Sequence, residues 1–331
     1  MSTATARDRI PGALRERLSG AVSQMAAAGA LIVVFVFLSI ASPDFLTVNN
    51  LFNVGVQISV TAVIAVGITL VIITAGIDLS VGSVAALAGV LGVMTMVDLG
   101  FSPLLAIVAG TLVGAGAGLV NGFLITVANL PPFIATLGML TVARGLVYVV
   151  TGGVAVFGAP DSFRLLGQGV VASIPIPIIA LAVVALAGYI ILSRTRLGRY
   201  AYAIGSNPEA ARLSGIPVKR YLLVVYVIGG ALAGFGGMIA ASQVNSGQPN
   251  YGIGLELDII AAAVIGGASL FGGQGTIFGT LIGAFLIALI RDGAVLLGVN
   301  TFYQQILIGV VIWLAVYWDQ LRRRKIEAAS G

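Results

Sequence analysis

The chain has 331 residues, 59% of them hydrophobic and only 9% charged, with a formal net charge of +5. A soluble domain carries about 25% charged residues, so a water-facing globule is excluded and a multi-span membrane protein is indicated. With no Cys and no His, disulfides, thiolate or imidazole metal sites and His-based catalytic triads are excluded as well.

The N-terminus, MSTATARDRIPGALRERL, is polar, and residues 1–20 read as a cytoplasmic tail. The apolar run that follows lacks an A-x-A pattern after it and reads as a first span, not a removed signal peptide. About ten apolar segments can be traced: Ala21–Ala41, Leu51–Thr74, Val81–Val97, Pro103–Val127, Pro132–Val150, Ile174–Leu192, Tyr221–Ala241, Asp258–Leu270, Ile277–Leu297 and Phe302–Trp318. A helix needs roughly 20 residues to cross a bilayer. The third and eighth segments are short for that and read as tilted or broken within the protein. The fold class is therefore an all-α integral membrane protein. The transmembrane domain covers 21–318, interrupted by a polar loop at 194–220 and followed by a basic tail at 319–331.

Charge placement gives the expected orientation. Arg7, Arg9, Arg15 and Arg17 precede the first run, six basic residues lie between Arg194 and Arg220, and Arg322, Arg323, Arg324 and Lys325 close the chain. An even number of spans puts both termini and the 194–220 loop on one side, and the positive-inside rule makes that side the cytoplasm. The opposite loops, Ser42–Asn50, Asp98–Ser102, Gly152–Ser173, Ser242–Leu257 and Gly298–Thr301, contain a single basic residue, Arg164. Basic charge here reads as topology and not as a nucleic-acid surface.

Small residues recur every fourth position at Gly110, Gly114, Gly118 and Gly122, and again at Gly275, Gly279 and Gly283. Such ridges let helices approach closely, either within one subunit or at a dimer seam. In AGIDLSVGS, Ala75–Ser83, Asp78 and Ser80 suit the cap of the next helix and the glycines suit a bend. Arg144, Arg291 and Asp292 lie within apolar segments. They are too few for an ion relay and are expected to bond backbone or one another. Amides in spans are costly unless bonded, so Asn53, Gln57, Asn121 and Asn129 are candidate lining residues of a translocation path, each equally able to bond a neighbouring helix.

The loop at 194–220 contains NPEAARLSGIPVKRY. Asn207 suits an N-cap, Pro208 the first turn, and Glu209 the positive end of the dipole. Ala210, Ala211 and Arg212 continue the helix, Gly215 ends it and Pro217 blocks extension. A capped helix of about two turns, held out of the membrane, reads as a docking surface. The only lysines are Lys219 and Lys325, and no G-x-x-x-x-G-K-[ST] sequence is present. The chain is thus not expected to hydrolyse ATP, and no catalytic, cofactor or metal residues are assigned.

Four stretches in order, AGIDLSVGS, PPFIATLGMLTVARGL (Pro131–Leu146), NPEAARLSGIPVKRY (Asn207–Tyr221) and LDIIAAAVIGGASLFGGQGTIFGTLIGAFLIALIRDGAVLLGV (Leu257–Val299), resemble the ribose-type sugar permeases of bacterial ABC importers, in the branched-chain amino acid/ribose permease superfamily. The resemblance runs from about Asn49 to Trp318. It implies about ten helices in a fold similar to the vitamin B12 permease (a type II importer), a homodimer in the bacterial inner membrane, and a cytoplasmic ATPase, often with two cassettes fused, that binds ATP–Mg. It also implies a periplasmic or lipoprotein sugar-binding protein and alternating access for a ribose-, xylose- or galactose-like sugar. In that picture Asn207, Pro208, Glu209, Ala210, Ala211, Arg212, Gly215, Lys219 and Arg220 form the ATPase-coupling region, and Gly76, Asp78, Ser80 and Gly82 are a family motif. The rival reading is a self-contained secondary carrier or channel for a small polar solute.

Overall fold

The computed structural model describes residues 12–300 and, beyond them, 302–310, 313, 314, 317 and 320; side chains are described from Gln24 onward. Most of the N-terminal tail and the whole basic C-terminal tail lie outside the described residues. The membrane bundle comprises α1 (Gly12–Ala41), α2 (Val48–Ile73), α3 (Val81–Val97), α4 (Pro103–Thr126) and α5 (Pro132–Thr151). A short α6 (Arg164–Gln168) and a small hairpin precede α7 (Ile176–Arg194). Two surface helices follow, α8 (Arg196–Ser206) and α9 (Pro208–Leu213), then α10 (Val218–Val244), α11 (Leu255–Ile265) and α12 (Ile277–Leu296). Residues 302–310 are again helical. Helix α1 starts inside the segment read as a tail.

Local sequence explains where the helices start and stop. Prolines open α4, α5, α7 and α9, where their missing N–H costs nothing. Thr47 and Thr276 cap α2 and α12 by accepting from the N–H groups of Asn50 and Gly279 at 3.3 and 3.0 Å. Helix α10 ends on Asn245 in the left-handed conformation, φ 49°.

Among the described residues, seven helices are long and apolar enough to span a bilayer: α1, α2, α4, α5, α7, α10 and α12. The ten segments read from the sequence are all helical where described, but they are not ten equal spans. Helix α3 has 17 residues and α11 has 11, about 25 Å and 16 Å at 1.5 Å per residue, against a hydrocarbon core of about 30 Å. The eighth segment begins earlier and stops sooner than the expected Asp258–Leu270, because Gly266 and Gly267 are followed by a loop folded against α2.

Helices α2 and α10 form the centre. From Ala62 to Ile73 every residue of α2 is buried, as expected of a helix that is apolar all round. Glycines set the α4–α10 contact. A Cβ on Gly114 would strike the Gly230 carbonyl, and one on Gly118 would strike that of Tyr226. Gly122 packs on Leu223 and Gly110 on Met238. In the second series, Gly279 meets Gly266 and Gly283 meets Ala262 across the α11–α12 contact, whereas Gly275 precedes α12 with φ +149° and belongs to a turn. Both ridges are therefore consumed by packing inside one chain.

One expected connection takes a different form. Ser242–Leu257 reads from the sequence as a plain external loop. Helix α10 instead runs on to Val244, and the next ten residues fold back into the bundle: Gly247 packs on Val90 of α3, and Gly252 on Gly82, eight residues back along the same helix. The distance descended is about 12 Å. An apolar count does not show this, since a polar connection reads as external whether it rests outside or is buried among partners.

Gly114→Val should loosen the α4–α10 seam by about 1–3 kcal/mol, the usual cost of overpacking. Gly116→Val is the control, because a Cβ there meets nothing within 4 Å. Thermal unfolding in detergent should show a lower midpoint for the first variant only.

Candidate functional site: two helix breaks and a surface helix pair

The chain is broken at 74–80, before α3, and at 245–254, before α11. The starts of these two short helices meet in the interior. Gly82 lies against the Gly252 carbonyl and the Glu256 carboxylate, and any Cβ there would collide with both. Ala85 of α3 packs on Gly237 of α10. Ser80 is bonded to Asn121, whose neighbour Gly122 packs on Leu223. The meeting point thus lies between levels 223 and 237 of α10, in the middle of the bundle.

Broken backbone inside a membrane protein must find hydrogen bonds from protein. At the first break, Ala75, at φ 60°, donates to the Ile72 carbonyl at 2.9 Å. Gly76 donates to Val71 at 3.1 Å, and the Thr136 hydroxyl donates to the Ile77 carbonyl at 3.1 Å. Asp78 and Ser80 do not cap α3 as expected. The Ser80 hydroxyl and N–H both donate to Asp78 Oδ1, at 2.6 and 2.8 Å, so the carboxylate ties the break to itself. Asn121 Nδ2 then donates to Ser80 Oγ at 3.0 Å. Asp78, Ser80 and Asn121 are each only 1% exposed. Two buried oxygens here, Tyr226 Oη and Asn121 Oδ1, have no partner among the described residues. Gly76 leaves room for the tyrosine hydroxyl, which would sit 2.5 Å from a Cβ.

At the second break Arg144 is the organiser. Its Nη1 donates to the carbonyls of Pro249 and Tyr251, at 2.7 and 2.9 Å. Gly247 and Val156 exchange both backbone bonds at 2.9 Å, and Tyr148 donates to Asn250 Oδ1 at 2.9 Å. Three further charges within the helices have partners. Arg291 pairs with Asp258 of α11 at 2.6 Å, and Asp292 accepts from Asn50 at 2.9 Å. Arg291 and Asp292, adjacent in sequence, have separate partners, as helical geometry requires.

The four amides singled out in the sequence are dispersed. Asn53 and Gln57 lie on the exposed side of the first turns of α2. Asn129 is exposed in the α4–α5 turn at φ 56°, bonded to Val127. Asn121 alone joins the central cluster, bonded to a neighbouring segment and not to open space. Tyr226, Tyr251 and Gly252 were not identified from sequence; nothing in a run of apolar helix distinguishes a tyrosine whose hydroxyl reaches a remote break.

In the 194–220 loop, Asn207 caps α9 by accepting from the Ala210 N–H at 2.9 Å. Gly215, at φ +82°, follows the helix. Glu209 and Arg212 pair through two bonds, one of them 3.0 Å. That bond holds the exposed Glu209 carboxyl below its ordinary range and raises Arg212. Ala211 is buried, whereas Leu213 is 74% exposed, an apolar knob beside the ion pair. Lys219 and Arg220 lie in the first turn of α10.

Helix α8 was missed. Its signal was present: Thr195 as the cap, then Leu197, Ala201 and Ile204 along one face. Ala201, Ile204 and Gly205 are buried. Gly205 wedges against the Ile73 carbonyl at the end of α2. The Tyr202 hydroxyl donates to Gly275 at 2.7 Å, and the Gly273 N–H donates to that same Ile73 carbonyl at 2.9 Å. Helix α8 thus joins α9 to both the α2 break and the α11–α12 loop.

Residues 50–316 match the family described as branched-chain amino acid transport system / permease component. The chain belongs to this permease family. It is 44% identical to the ribose import permease protein RbsC of Escherichia coli (strain K12), over 89% of this chain and 92% of the relative. It is 40% identical to the D-allose transport system permease protein AlsC of the same strain, over 88% and 89%. It is 39% identical to the L-arabinose ABC transporter permease protein AraH of Azospirillum brasilense, over 90% and 87%. No solved structure matches. The chain is a multi-pass membrane permease, and its two breaks and α8–α9 pair are the features this fold adds to a plain helical bundle.

Arg144→Met keeps the length and removes the donors. Hydrogen bonds to a charged group are worth about 1.5–3 kcal/mol, so limited proteolysis of the permease should cut within 245–254 several-fold faster in the variant.

Proposed function

We propose that this permease is the membrane subunit of an ATP-driven importer for a monosaccharide. Helix α9 carries the reading: a capped, exposed helix with an ion pair and an apolar knob, fixed through α8 to the carbonyl at which the central break begins. A separate ATPase, with its two cassettes in one chain, grips α9, and closure of that ATPase on ATP–Mg moves α8 and hence Ile73–Ser80. A second copy of the permease completes the path. A periplasmic or lipoprotein binding protein delivers the sugar on the opposite face of the bacterial inner membrane, with both termini cytoplasmic. The relatives named for ribose, allose and arabinose support a sugar over the amino acid in the family's description. A self-contained carrier is less favoured, because Arg144, Arg291 and Asp292 are all engaged by protein partners.

Two measurements test this. Glu209→Ala with Arg212→Ala should lower ATP-dependent sugar uptake at least tenfold at unchanged membrane abundance; normal uptake removes α9 from coupling. A reporter placed after Gly331 should be cytoplasmic and one inserted at Gly153, exposed and unobstructed, external. The reverse labelling overturns the orientation.

A further inference from the structure

A cavity of about 480 Å³ opens beside the second break, within the range of roughly 300–1,000 Å³ typical of small-molecule sites. Its wall is made by Tyr251, the start of α11, Asp258, Arg291, Gln304 and Gly309. A smaller cavity of about 110 Å³ lies on the other side of Tyr251, floored by Ala85, Gly89 and Gly237 and edged by Gln243 and Gln248. Tyr251 is the one residue common to both walls. Arg291 lies five residues before the end of α12, so the larger cavity occupies the half of the bundle nearer the C-terminal end of α12, the face at which the proposed binding protein docks.

The chemistry of the wall selects among solutes. Arg291 and Asp258 neutralise each other at 2.6 Å, so the wall offers no free charge to an anion or a zwitterion. Hydrogen-bonding capacity nevertheless remains. Gln304 spends its Nε2 on the Val299 carbonyl at 3.0 Å, leaving Oε1 as an acceptor. Arg291 has N–H groups beyond the one given to Asp258, Asp258 has a second oxygen, and the exposed Gln305 amide both donates and accepts. Hydroxyl groups, which are donors and acceptors at once, fit a wall of this kind; the ring of Tyr251 supplies an apolar surface beside it. A free amino acid would have to break the Arg291–Asp258 pair to satisfy its own two charges, leaving that pair's members partly desolvated.

We propose that the cavity bounded by Tyr251, Asp258, Arg291, Gln304 and Gly309 is a binding site for a neutral polyhydroxyl solute within the permease, with Tyr251 as the partition to the inner cavity. This rests on the importer reading above and gives that reading a location for its solute.

Gly309 provides the test. A Cβ there meets nothing within 4 Å and the residue lines the cavity, so Gly309→Trp adds bulk at the cavity wall with no clash at its Cβ. The permease is reconstituted with its ATPase and binding protein in proteoliposomes, and uptake of D-ribose, D-allose, L-arabinose and L-leucine is measured with ATP hydrolysis. Wild type should import at least one of the three sugars and not leucine. Gly309→Trp should import that sugar at least tenfold more slowly with ATP hydrolysis retained, and Gly309→Ala should match wild type. Gln304→Leu should change the rate ratio among the sugars. If Gly309→Trp does not reach the membrane, Gln304→Leu decides alone, and an unchanged ratio rejects the site. Sugar import at the wild-type rate by Gly309→Trp overturns the site and leaves the importer reading standing. A wild-type complex that imports none of the sugars overturns both.

Discussion

Inside a bilayer a backbone that leaves the helix must be hydrogen-bonded by the protein itself. That requirement organises this molecule. Two such departures, at 74–80 and 245–254, are held by hydrogen bonds from other parts of the bundle. Asp78 and Thr136 serve the first, and Arg144 and Val156 serve the second. The intramembrane charge at Arg144 is therefore the means by which ten residues of irregular chain stay inside the bundle. The breaks in turn shorten α3 and α11, whose starts meet at Gly82 and Gly252.

Close approach is the second requirement. The breaks can be reached by their partners only because α4, α10, α11 and α12 pack backbone to backbone. Gly114, Gly118, Gly230 and Gly234 create that proximity between α4 and α10, and Asn121 of α4 reaches Ser80 at the start of α3. Dispersion and close carbonyl contact hold such seams, since lipid supplies no hydrophobic drive between helices. The glycine content of the chain is thus tied to the position of its polar centre.

The route from the α8–α9 surface to the centre is short. Helix α9 is continuous with α8, and α8 abuts the last carbonyl of α2 through Gly205. Ile73 also accepts from Gly273, in the loop that precedes α12. One carbonyl therefore senses both α8 and the α11–α12 loop. Thr69 of α2 and Thr280 of α12, bonded at 2.7 Å, tie α2 to α12 one turn further along.

Composition and order alone determined a good deal. Low charge and long apolar runs made the chain an all-α membrane protein. Asn207, Pro208 and Gly215 announced a capped helix, because capping depends on neighbours within four residues. The mutual indifference of Arg291 and Asp292 followed from helical geometry. Tertiary structure alone decided the partners of charges and amides: Arg291 with Asp258, Asn121 with Ser80, Arg144 with two carbonyls more than 100 residues away. It also folded 245–254 back against α3 and sent the glycine ridges to seams within the chain. The physical reason is common to all of these. Hydropathy and caps are properties of a few consecutive residues, whereas a polar group in lipid is satisfied by whatever the folded bundle brings within hydrogen-bond distance, and that distance is not written in any local window.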